Sequence, residues 1–257
     1  MLPGPIEIAD FADEGVTLTP VTAPDFDRRA QTILADDASP VLELKPYLTL
    51  VRNDNPRTVV AYTVAWTVTR RNDTLEVNYS QFKFPDAVAG ASHGLAMLAG
   101  REIRSGTERL TGMGFEAWPP EYADTLREYG LRAAAHLGDT KGLAIALDGV
   151  IFEDGTMLGP DRSRLAEHFI EFVHAKQSLY RDIVVGLEGG GDVRDDVFAP
   201  LRETLETRRQ AAHPDSVLVY RRQAAAEILA FHDRVALEVF RRTLRREPFT
   251  IRRLSGK

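Results

Sequence analysis

"LTLVRNDNPRTVVAYTVAWTVTRRNDTLEV", residues 48–77, carries the pattern that decides the fold. Val60, Tyr62, Val64, Trp66 and Val68 occupy every second position of 58–70, so an extended chain places all five on one face. The same period runs through Leu42, Leu44, Leu48 and Leu50 in 41–52, and through Leu75, Val77 and Tyr79 in 74–82. Between these runs lie "NDNP" (53–56) and "RND" (71–73), both rich in turn formers. The spacing predicts three strands joined by tight turns: an antiparallel meander with one buried face that a second layer must cover. Trp66, with Val64 and Val68, is expected in that core. Pro46 has no amide hydrogen to give a ladder, which marks a bulge or an edge position.

Outward from this unit the period changes twice. Residues 23–37 place Phe26, Ala30, Ile33 and Leu34 at helical spacing after Pro24–Asp25, which predicts a short helix. Residues 85–101 read as a long loop around a short apolar piece, and 101–112 as a further strand. A helix is expected over 119–139, started by Pro119–Pro120 and stopped at Gly138. Alternation returns through Leu143, Ile145 and Leu147 in 141–152. After Pro160 the period is helical. The stripe Leu165, Phe169, Phe172, Val173, Lys176, Tyr180, Ile183, Leu187 predicts a helix over 161–188, ended by "GGGD" (189–192). Val197, Leu201 and Leu205 mark another over 196–210. Ile228, Phe231, Val235 and Val239 mark a long one over 215–247. The expected class is α+β: a β-domain with an inserted helix over 1–160, then a helical region over 161–257, packed on itself or on the β-domain.

The unit 48–77, with its "NDNP" turn, its alternating valines and Trp66, resembles the strand–Asn-rich turn–strand unit of immunoglobulin-like sandwich domains in uncharacterised bacterial proteins. It is similar to the same unit in the FxLYD and LEA-type groups. The resemblance covers about thirty of 257 residues and implies an antiparallel immunoglobulin-like β-sandwich. It carries no catalytic residue across. The chain departs from the antibody type in having no cysteine pair, and from a compact sandwich in its inserted helix and helical C-terminal part.

Composition excludes several chemistries. With no cysteine there is no disulfide, thiol nucleophile, thiolate zinc site or iron–sulfur cluster. Apolar residues at 44% and charged residues at 27% describe a globular chain. The N-terminal residues "MLPGPIEIADFADEG" lack the basic and apolar regions of a signal peptide, and no apolar run nears the ~18 residues of a membrane helix. The net charge of −6 is uneven: 241–257 carry six Arg, one Lys and one Glu, leaving about −12 on the other 240 residues. That basic stretch could engage phosphates, an anionic membrane or the protein's own acidic body. Apart from it, nucleic-acid binding is not expected.

One acidic stretch invites a catalytic or metal reading. "LDGVIFEDGTMLGPD" (147–161) holds Asp148, Glu153, Asp154 and Asp161. An EF-hand starting at Asp148 would need an oxygen ligand at position three and Gly at position six, where the chain has Val150 and Glu153. Asp154–Gly155 instead reads as a two-residue type I′ turn, which would set Phe152 opposite Met157 and Ile151 opposite Leu158. Asp161 would then cap the following helix.

Further along, Glu171 and His174 form an E-x-x-H, the spacing of half a di-iron site. The last helix answers with Glu227 and His232 at the wrong spacing. His232–Asp233 resembles the metal pair of HD phosphohydrolases without its supporting residues. G-x-S-x-G and the glycine-rich phosphate loops are absent.

No residue set is therefore assigned as catalytic, cofactor-binding or metal-binding. The expected function is a non-enzymatic binding or structural protein that presents a helical hairpin from a β-sandwich. Its partner would be a protein or a second copy, engaged through the C-terminal helices. The alternative is a metal-dependent hydrolase assembled from Glu171, His174, His232 and Asp233.

Overall fold

The computed structural model describes residues 6–34, 45, 48–82, 102–112, 140–189 and 249–254, the side chains of 34, 79–82 and 187 excepted. The expectations for 41–44, 85–101, 119–139, 196–210 and 215–247 fall outside these residues. What is described is mixed α+β, mostly strands, with two α-helices. Among the described residues no helix is long and apolar enough to cross a membrane. The chain divides into two compact units: Met1–Gln81, Ile103–Ser163 and Arg253–Lys257 form the first, and Phe82–Glu102 and Arg164–Arg252 the second.

The first unit is built on two open sheets. One is the antiparallel set β2 (Val16–Pro20), β3 (Thr49–Asn53) and β6 (Thr107–Thr111), in the order β2-β3-β6. The other joins β4 (Val59–Thr69), β5 (Thr74–Phe82), β7 (Gly142–Phe152), β8 (Thr156–Leu158) and β9 (Arg252–Arg253) in the order β5-β4-β7-β8-β9. β1 (Ile6–Ala9) lies parallel to β7, with Ile6 opposite Leu143, so this sheet is mixed and not antiparallel as expected.

Side chains of both sheets meet in one core: Val16, Leu18 and Val51 from one, Tyr62, Val64, Trp66, Val68, Leu143, Ile145 and Leu147 from the other. Trp66, Val64 and Val68 are all fully buried. The Tyr62 hydroxyl hydrogen-bonds Thr111 Oγ1 at 2.6 Å between the sheets. On the other side of the smaller sheet, Leu48, Leu50 and Leu110 pack with Phe26 and Ala30 of α1 (Phe26–Leu34). The Arg29 guanidinium of α1 reaches Glu108 of β6 with Nε–Oε distances of 3.0 and 3.1 Å, and these hydrogen bonds raise the pKa of Arg29 above its ordinary value.

The meander is the main correction. β4 and β5 are neighbours, but β3 belongs to the other sheet. "NDNP" is a corner between sheets rather than a hairpin. Asn53 donates to the carbonyls of Arg57 and Ile103, each at 2.8 Å, and its Oδ1 accepts the Asn55 N–H. Asn55 in turn accepts the Arg57 N–H and donates to the Glu14 carbonyl. A chain leaving one ladder for another strands buried backbone groups, and these amides satisfy them.

Two bulges adjust β4 and β7. The pairing slips between Val59 and Ala61, and again where Thr63 faces Gly149 while Val64 faces Leu147. The first slip puts Val59, not Val60, in the same packed cluster as Tyr62, although Val60 is buried as well. The second leaves Asp148 without an opposite residue, so the inward phase passes from Leu143, Ile145 and Leu147 to Val150 and Phe152.

The β7–β8 hairpin forms one residue out of the expected register: Ile151 faces Met157 and Val150 faces Leu158. Gly155 donates to the Phe152 carbonyl at 2.9 Å and alone in the loop has a positive φ, +79°. The connection is therefore a three-residue loop, a type I turn followed by a left-handed glycine, and not a two-residue type I′ turn. Replacing Gly155 by Val should cost about 1–3 kcal/mol, since a β-branched residue is strained there. Urea melts compared with Gly155→Asn, which tolerates the left-handed region, would check this: a Val variant as stable as the Asn variant contradicts it.

In the second unit, α2 spans Leu165–Glu188. The expected stripe is buried from Leu165 through Phe169, Phe172, Val173, Lys176 and Tyr180 to Ile183. Lys176 extends its apolar stem there, its ammonium 5.7 and 5.9 Å from the Phe172 and Tyr180 ring centres. The Phe249 ring meets Phe169 edge-on at 5.3 Å.

Candidate functional site

The acidic stretch gathers where β7 bulges. Asp148, 5% exposed, accepts the Arg162 N–H at Oδ1 (3.0 Å) and the Ser163 N–H at Oδ2 (2.7 Å). Its own carbonyl accepts the Asp161 N–H at 3.0 Å. One bulged residue thus holds the loop 159–163 by three hydrogen bonds. The bulge is what permits this, because it frees Asp148 from a ladder partner and turns it toward that loop. Gly159 is the close-approach point: at φ +101°, a Cβ there would stand 2.5 Å from the Asp148 carbonyl oxygen and 2.8 Å from Phe11.

The other three carboxylates are also engaged. Asp154 Oδ1 accepts the Thr156 N–H at 2.8 Å, closing the hairpin loop, and Asp154 lies 3.8 Å from Arg57. Glu153 bridges to Thr58, accepting its N–H at 3.3 Å while its own N–H donates to the Thr58 carbonyl. The Arg57 guanidinium stacks 4.1 Å above the Phe152 ring.

Asp161 does not cap α2 as expected. Asp161 and Arg164 both adopt left-handed backbone, at φ +58° and +60°, which delays the helix to Leu165, and Arg164 occupies the cap position with no side-chain cap bond. The Asp161 side chain, 3% exposed, instead binds the Arg253 guanidinium. Phosphates and membranes were open expectations for the basic stretch. Of its described residues, Arg253 binds the protein's own acidic body and Phe249 packs on α2.

On α2, Glu171 is found beside a different histidine from the one that the E-x-x-H spacing suggested. It lies 3.5 Å from His168 Nδ1, one turn earlier, while His174 is exposed. Glu227, His232 and Asp233 lie outside the described residues. Among the described residues, no three His, Asp or Glu side chains gather at metal-binding distance. Sequence reasoning missed two participants, the bulge at Asp148 and the Asp161–Arg253 pair. The first left a signal, the phase slip between Leu147 and Val150; the second pairs residues 92 positions apart, and the sequence showed only the opposite charges of the basic stretch and the acidic body, not the partners.

No family model matches the chain, and neither a curated protein nor a solved structure matches it significantly.

Proposed function

We propose that the protein is a non-enzymatic binding or structural protein, in which an immunoglobulin-like sandwich presents a C-terminal helical hairpin to a protein partner or to a second copy of the chain. One observation supports this reading most. The four carboxylates of 147–161, the most site-like set in the sequence, accept backbone N–H groups or bind arginine. A carboxylate committed to two backbone N–H donors is poorly placed to take a proton from a substrate or to lend both oxygens to an ion. The long buried stripe of α2 adds to it, since an amphipathic helix of 24 residues is suited to helix–helix contact.

In this reading Ile228, Phe231, Val235 and Val239 supply the second arm of the hairpin, and the apolar edge left over forms a homodimer seam. Phe231→Asp should lower the melting midpoint and abolish any dimer seen in sedimentation equilibrium. If that variant melts like the wild type and keeps its oligomeric state, the hairpin reading fails.

A further inference from the structure

We draw no further inference here: the strongest candidate, the fully buried indole N–H of Trp66 in the core between the two sheets, which has no hydrogen-bond partner among the described residues, carries nothing because no second observation in the structure points to a ligand that would accept it.

Discussion

Gly159→Ala should destabilise the first unit by about 3–5 kcal/mol, enough to leave a chain of ordinary stability near its unfolding threshold. Two costs combine. At φ +101° any side chain is strained, and the new Cβ would stand 2.5 Å from the Asp148 carbonyl oxygen. That oxygen cannot retreat freely, because it accepts the Asp161 N–H and sits on the bulge that also gathers Arg162 and Ser163. Phe11, 2.8 Å away, closes the other side. Gly106→Ala separates the two costs. Its φ is +74°, with nothing within 4 Å of the added Cβ, so strain alone should cost about 1 kcal/mol. Urea melts followed by tryptophan emission compare the pair. Equal losses would mean that the loop gives way and that the junction at Asp148 is not tight.

Asp148→Ala is expected to cost about 3–5 kcal/mol. It strips the acceptors from two backbone N–H groups, those of Arg162 and Ser163, in a site where the carboxylate is 5% exposed. Each orphaned donor costs about 1–3 kcal/mol, and bonds to a charged acceptor stand at the upper end. The loop would lose its anchor just before α2 begins. Hydrogen exchange at Arg162 and Ser163 offers a local readout. Their amides should become labile in the variant while those of β4 keep their ranking. Unchanged protection at both amides would remove Asp148 as the organiser of the loop.

Much of this architecture was legible from local pattern. The alternation around Trp66 gave β4 and its buried face, the spacing from Phe26 gave α1, and the stripe from Leu165 gave α2. What escaped was settled by non-local geometry. "NDNP" has the same turn chemistry whether the chain folds back beside itself or crosses to another sheet; the donors that decide, Asn53 to Ile103 and Asn55 to Glu14, reach residues far along the chain. β1 is four residues long and pairs in parallel with β7, a partner no short pattern can name.

The hairpin at Gly155 was found but set one residue out, because Asp-Gly serves two-residue and three-residue loops alike. Asp161 follows Pro160 and so resembled a helix start. Left-handed backbone is opposed by local propensity at Arg164 and only tolerated at Asp161, so both are tertiary choices. Of the candidate site, the sequence showed the carboxylates but not their commitments, which are made to backbone groups and to an arginine from elsewhere in the chain.

The central claim is that the acidic stretch 147–161 is a structural junction. Thermal melts of the wild type and Asp148→Asn, each in EDTA and in millimolar calcium plus magnesium, test it most directly. Asparagine keeps the size of the side chain but offers one accepting oxygen where two N–H groups need one each. The account predicts a loss of about 2–3 kcal/mol for Asp148→Asn, the same in both media, and a wild-type midpoint indifferent to the chelator. A wild-type midpoint that falls in EDTA and recovers with the cations, with Asp148→Asn insensitive to both, would contradict it and make the stretch a metal site.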